Sequence, residues 1–395
     1  MLEEVEVLGK RLWRGGGHGM DGVGTHSRRR LIHPLPSNKV PFAYGESAAA
    51  MSSQRDVTAV QKQIWKGSIP LRISLASTDC RTYDESDPYL IQVPRLSYIP
   101  FLLRRLHAFF APSLINPDVE PSKGWLSFDG VPLKWHHPIG LLYDLYSGAE
   151  PFSNDDSLHH HDPLPSKDAA ASPSSPSSPT TSNTTPSDPL PWTLTLHYTE
   201  WPASLVPMDP ALKTQHDAFI NAVKEADFLR NGTAKAVMSL SKDSSDALWR
   251  AVQTHDLPLY NSVHARLVAP PAGAKLRHVP IKLYLPSSSS PLQDSGRLGK
   301  KPSTIQESPT SKKDDDSALP PGALRTIQAP IQPNQTLGTA LNAVLPSLFP
   351  SRRSPLLAQP VLHGAVVPLS APVDELGRAA SYADGFVHLV VWMMG

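Results

Sequence analysis

The sequence has a single cysteine, Cys80, in 395 residues. A disulfide within the chain needs two, so none forms, and such sparing use suits a reducing compartment. No apolar run approaches the roughly 20 residues that a membrane-spanning helix requires. The opening Met1-Leu2-Glu3-Glu4-Val5 has no basic region leading into an apolar stretch, so a secretory signal is not expected either. Charge of one sign is not in excess: a net charge of +1 exerts no global pull on nucleic acid or an anionic surface. No glycine-rich phosphate loop follows a strand and opens a helix, so no nucleotide is expected, and no cofactor is implied. The reading is a cytosolic chain with no nucleic-acid partner, whose membrane contact, if any, is peripheral.

What is present in excess is proline, 42 residues of it, together with serine tracts. Residues 1–52 carry Gly15-Gly16-Gly17 and Arg28-Arg29-Arg30, the latter read as a solvated run rather than a nuclear address, and Met51 is a second candidate start. This segment and the inserts 151–190 and 286–322 cannot bury enough apolar surface to offset the entropy of ordering, so all three are expected to be disordered.

Between them the hydrophobic period alternates between two kinds. Asp56 to Trp65 reads as a short amphipathic helix, Gly67 to Leu75 and Tyr89 to Pro94 as strands, and Tyr98 to Phe110 as a helix with Ile99, Leu102, Leu103, Leu106, Phe109 and Phe110 inward. Trp125 to Phe128 and Val131 to Trp135 flank an Asp129-Gly130 turn; a helix over Ile139 to Leu145 and a strand over Trp192 to Tyr198 follow. This is the order of ubiquitin, the β-grasp. Further on, Arg277 to Leu285 and Leu324 to Ile331 read as strands and Thr336 to Leu348 as the crossing helix. Phe386 to Trp392 then closes the pattern as an apolar, central strand. Phe128 to Leu133, followed by Pro138, Ile139 and Leu142, superposes without gaps on Leu362 to Val367, followed by Pro372, Val373 and Leu376. A glycine turn, a proline and a helix start at one offset mark two copies of one fold.

Between the copies, Asp209 to Gly232 reads as one helix, capped by Asp209, with Pro210 at its first position and Asn231-Gly232 as its stop. Leu212, His216, Phe219, Val223 and Ala226 form its apolar stripe, and Lys224 falls at the edge, toward water. Thr233 to Leu240 and Asp243 to Gln253 are further helical turns. The fold class is therefore α+β, two ubiquitin-like β-grasp domains flanking a helix-rich domain. The expected divisions are 1–52 (extension), 53–203 with its insert 151–190, 204–268 carrying the helix of Lys224, and 274–395 with its insert 286–322.

Several strings carry a family resemblance. Trp65-Lys66-Gly67-Ser68-Ile69-Pro70, Val93-Pro94-Arg95-Leu96-Ser97-Tyr98, Pro132 to Asp144, Pro191-Trp192 and Val223-Lys224-Glu225-Ala226-Asp227 occur in the order found in the autophagy protein 5 family, which this chain resembles from about residue 55 to its end outside the inserts. That resemblance implies that Lys224 accepts the ubiquitin-like autophagy protein 12 through an isopeptide bond. It further implies that the conjugate binds autophagy protein 16 and promotes ligase-like transfer of a second ubiquitin-like protein to phosphatidylethanolamine. The conjugating enzymes of that system are then partners, and the location is the cytoplasm and the pre-autophagosomal membrane. Glu225 and Asp227, as neighbours of Lys224, are expected to favour its ammonium form. Gly395 directly follows an apolar strand, which suits an acceptor better than a donor with a flexible tail. Other chemistry-bearing residues read more plainly. Cys80 is taken as an ordinary lone cysteine, His159-His160-His161 as a solvated tract rather than a metal site, and His136-His137 as neutral structural histidines.

Overall fold

The computed structural model describes residues 56–82, 86–152, 190–268, 277–286 and 324–394. The first 52 residues, Arg28-Arg29-Arg30, Met51, His159-His160-His161, Gly395 and nearly all of both inserts lie outside the described residues.

The first sheet is assembled from α1 (56–66), β1 (Ser68–Leu75), β2 (Tyr89–Pro94), α2 (Pro100–Phe110), β3 (Trp125–Phe128), β4 (Val131–Pro132), α3 (Ile139–Tyr146) and β5 (Trp192–His197). The strand order is β2-β1-β5-β3-β4, with β1 and β5 parallel and the other pairs antiparallel. This is the ubiquitin topology. Alternation in β1 sends Ile69, Leu71, Ile73 and Leu75 inward, where Leu102, Leu103, Leu106 and Phe110 of α2 cover them. Two expectations need correction. Phe109 is 43% exposed and packs its ring 4.9 Å from Tyr89 outside the core. The partner strand of β3 spans only Val131–Pro132, with the Leu133 amide still bonded to the Leu126 carbonyl at 2.9 Å, and beyond it the Trp135 indole N–H reaches the Val206 carbonyl at 2.7 Å.

The second sheet repeats the plan with β6 (Val279–Pro286), β7 (Leu324–Ile331), α8 (Leu337–Val344), β8 (Ala358–Leu362), β9 (Ala365–Val366), α9 (Val373–Ala379) and β10 (Val387–Met393), ordered β7-β6-β10-β8-β9. β10 is central and buried from Val387 to Val391. The duplicated turns match in backbone conformation: Asp129 and Gly130 have φ of 46° and 77°, His363 and Gly364 of 54° and 85°. In each copy one backbone bridge ties the approach to the crossing helix to the proline before the second helix, Tyr98 to Pro138 and Thr336 to Pro372. Helix α8 ends at Val344 rather than running to Leu348, since Leu345 precedes Pro346 and leaves the helical region.

Four helices lie between the sheets: α4 (Lys213–Asn231), α5 (Lys235–Met238), α6 (Lys242–Thr254) and α7 (Leu257–Val268). The sequence reading missed α7, although its signals exist. Asp256 Oδ1 accepts from the Leu259 amide at 2.9 Å, Pro258 sits in the first turn, and Tyr260, Val263 and Leu267 recur at helical spacing. The parts share buried surface: one apolar cluster runs from Leu96, Tyr98 and Leu141 through Phe219 and Val223 to Ile281 and Val387. Arg95 donates to the Gly140 carbonyl at 3.2 Å and pairs with Asp144, both shielded from water, directly beneath the Gly364 turn of the second sheet. Phe152, expected to begin a disordered insert, instead pairs with β9: its amide reaches the Gly364 carbonyl at 3.1 Å and its carbonyl accepts from Val366 at 2.9 Å.

Candidate acceptor helix and its surroundings

Helix α4 begins later than its sequence suggests. Leu212 adopts φ 59° as the cap, Pro210 stays in the preceding turn, and Asp209 Oδ2 accepts from the Lys213 amide at 2.8 Å. Its end falls as expected: Gly232, at φ 73°, bonds back to the Phe228 carbonyl at 2.7 Å. Phe219, Val223 and Ala226 are buried as the stripe requires, while Leu212 and His216 are half-buried.

Three polar side chains on α4 decide its setting, and hydrophobic spacing gave no sign of two of them. Asp227 is fully buried; its Oδ1 accepts from Asn231 Nδ2 at 2.8 Å and its Oδ2 from the Val237 amide at 3.3 Å, fixing α5 against α4. Arg230 is buried as well and donates to the Gly385 carbonyl at 2.8 Å, joining the helix to the turn before β10. Burial lowers the Arg230 pKa from its ordinary value, against the pull of Tyr260, Asp227 and Asp384. Glu225 faces the second sheet, where its two oxygens accept from Lys282 Nζ at 2.9 Å and Gln328 Nε2 at 3.1 Å.

Lys224 is half-buried on the open flank of α4 and has no ion-pair or hydrogen-bond partner among the described residues. One turn on, Phe228 is 57% exposed. Its sequence neighbours Glu225 and Asp227 are both engaged elsewhere, Glu225 on Lys282 and Gln328 and Asp227 on Asn231 and the Val237 amide.

The other candidates take structural places. Cys80 Sγ lies 3.3 Å from the Thr82 hydroxyl, and its backbone bridges Leu114. His137 packs edge-on against Tyr284, and burial, with His136, His388, Lys134 and Lys282 around it, holds its pKa well below the ordinary histidine value. A buried relay not foreseen from the sequence joins Tyr284 O–H to His388 Nδ1 at 2.8 Å and His388 Nε2–H to Asp384 Oδ2 at 2.9 Å. Burial raises the Asp384 pKa, but His388 and Lys282 outweigh it and keep the carboxyl below its usual range. The relay orients β6, β10 and the 384–386 turn against one another. Among the described residues no group of three or more His, Cys, Asp or Glu side chains is placed to hold a metal ion.

A cleft of about 640 Å³ opens between α2 and the start of α4, lined by Phe101, Leu103, Arg104, Pro210, Leu212 and Gln215. Gln215 is 4% exposed, and neither atom of its amide has a partner. A glutamine between Leu212 and Phe219 on the buried stripe was its only trace in the sequence.

Comparison with known proteins reaches all three parts of the described body. Residues 64–198 match the family described as Autophagy protein ATG5, UblA domain; residues 212–270 match its alpha-helical bundle region; residues 278–391 match its UblB domain. The chain is 47% identical over 359 residues to Autophagy protein 5 of Neosartorya fischeri, covering 88% of this chain and 99% of that one. With the Phaeosphaeria nodorum protein of the same name the identity is 48% over 353 residues, covering 87% and 100%. A crystal structure of Kluyveromyces marxianus Atg5 superposes with a TM-score of 0.56 at 16% identity, covering 84% of this chain and 98% of that one, and so shares the fold.

Proposed function

Because the chain belongs to the autophagy protein 5 family, we propose that Lys224 is an isopeptide acceptor for the ubiquitin-like autophagy protein 12. The observation that carries this reading is the setting of Lys224: a lysine on the open flank of a helix whose other faces are fixed to both neighbouring parts, with no anionic partner among the described residues. Isopeptide formation needs an amine held in one place yet open to a thioester on a conjugating enzyme. A helix pinned through Asp227, Arg230 and Glu225 supplies the holding.

On this reading the chain is a non-catalytic scaffold. Its conjugate, bound by autophagy protein 16, stimulates ligase-like transfer of a second ubiquitin-like protein to phosphatidylethanolamine at the pre-autophagosomal membrane. The units are 53–203, 204–268 and 274–395, the middle one carrying the acceptor. No helix among the described residues is long and apolar enough to cross a membrane, and the proposed location is cytoplasmic with peripheral membrane contact.

The test replaces Lys224 by Arg, which keeps charge and helix while removing the nucleophile. Immunoblots from starved cells should show a heavier species for the wild type and none for Lys224→Arg, and tryptic mass spectrometry should place a branched peptide at Lys224. A heavier species that persists in the variant rules this site out. A second reading, an unmodified two-domain ubiquitin-like adaptor, is favoured by the cleft at Gln215, whose buried unpartnered amide suits a bound segment offering a backbone donor and acceptor. It takes first place if no heavier species forms.

A further inference from the structure

Ser354-Pro355 is the one Ser-Pro or Thr-Pro sequence among the described residues, and it follows Arg352-Arg353. It lies between the end of α8 at Val344 and the start of β8 at Ala358, in no regular element. Both ends of this loop are tied down. The Arg352 carbonyl lies so close to Gly338 of α8 that a Cβ there would stand 2.0 Å from it, and the Leu357 carbonyl accepts from the Met394 amide at 2.9 Å. Between the ties Arg353, Ser354 and Leu356 are exposed, as are Arg352 and Leu357 themselves. Ser351 Oγ accepts from the Arg353 and Ser354 amides at 3.3 and 3.2 Å. The Ser354 hydroxyl has no hydrogen-bond partner among the described residues.

Charge favours the same residue. From Leu324 to Val373 there is no aspartate or glutamate, while Arg325, Arg352 and Arg353 are exposed and form no ion pair among the described residues. An anionic group entering here meets cations of its own stretch and no like charge.

We propose that Ser354 is a phosphorylation site for a proline-directed serine/threonine kinase. Pro355 has no backbone N–H, so it fits a cleft that offers no acceptor to the residue after the serine. The loop reaches an extended form by opening the two long Ser351 bonds, and a surface loop with few buried contacts opens at low cost. In the transfer Ser354 Oγ attacks the γ-phosphorus of ATP. The new O–P bond forms, the bond from that phosphorus to the β–γ bridging oxygen breaks, ADP leaves, and the hydroxyl proton passes to the kinase's catalytic carboxylate. The product carries about two negative charges at neutral pH, which offset Arg352 and Arg353. Leu356, Leu357, Met393 and Met394, 43–59% exposed, lie along the same loop and the strand end tied to it. A basic, apolar surface thereby becomes one without net charge that bears a strongly hydrated group. None of this depends on the reading of Lys224.

The experiment treats the purified full chain with Mg²⁺, ATP and a cyclin-dependent kinase and follows tryptic peptides by mass spectrometry, beside a free peptide of residues 348–360. Ser354 of the folded chain should gain phosphate at an initial rate within about tenfold of the free peptide's. Ser354→Ala should lose that signal and leave label on the other Ser-Pro sequences, such as those at Ser172, Ser175 and Ser178, unchanged. The same tryptic peptide from chain isolated from growing or starved cells, with phosphatases inhibited, should carry the group and lose it on phosphatase treatment. Two results would each overturn the proposal: Ser354 of the folded chain staying unmodified while the other Ser-Pro sequences or the free peptide react, or Ser354 bearing no phosphate in chain from either kind of cell.

Discussion

At the scale of single residues, the groups that matter most to this fold are charged ones placed where sequence rules put apolar ones. Arg95 and Asp144 both lie in strings that mark the family, and the structure makes them a buried pair that supports the turn of the other domain. Burial acts against both charges, while each partner favours the other's ionised form. Removing one partner leaves the other charge stranded, so Asp144→Ala should cost about 3–5 kcal/mol. A urea titration with a midpoint within error of wild type would refute this. Arg230 and Asp227 follow the same logic within α4. Apolar spacing leaves both off the stripe, because a 3.6-residue period identifies apolar positions but cannot tell an exposed polar position from one that a second domain covers.

At the scale of elements, strands and helix ends were the most legible. Strand signals located β1, β2 and β5, and a continuous apolar run β10, within a residue or two, and Gly232 marked the end of α4 because its φ of 73° is one that glycine adopts without strain. Gly232→Ala should therefore destabilise by about 1–2 kcal/mol, read as a lower melting temperature, while Lys224 reactivity in discharge assays is retained. The start of α4 was misread because Leu212, an unlikely residue for the purpose, takes the left-handed conformation, and Asp209 caps from one turn earlier. Helix α7 went unread although both its Asp256-Leu257-Pro258 start and the helical spacing of Tyr260, Val263 and Leu267 signal it.

At the scale of the whole molecule, three segments share one apolar cluster, and several histidines lie within it or at its margin. Burial pulls His264 down to about 3, with Arg230 adding to the effect and Asp384 opposing it. Burial likewise pulls His363 to about 3, against its hydrogen bond to the Ala380 carbonyl and with Arg95 and His388 adding to the effect. Both are neutral when folded and take up a proton near pH 6.5 when unfolded. The unfolded chain therefore binds more protons below that pH, so this stability is fully present above about pH 6.5 and is lost as pH falls toward 3. By pH 5 each histidine should remove at most about 2 kcal/mol. Urea midpoints measured from pH 7.5 to 5 should fall steadily, and His363→Gln should flatten part of the slope. A midpoint that is level across this range would contradict the assignment.

Local rules were enough for what is local. The period of the apolar residues, two glycine turns at one offset and the low-complexity inserts were sufficient to place two β-grasp folds around a helical segment, with Lys224 on its central helix. This worked because strand alternation and turn chemistry are properties of a few consecutive residues. What only the tertiary structure decided is who touches whom across the domains: Glu225 on Lys282, Arg230 on Gly385, Arg95 and Asp144 under Gly364, Phe152 on β9. Those contacts join residues tens to hundreds of positions apart, and their existence depends on the packing of finished elements, which no local period encodes.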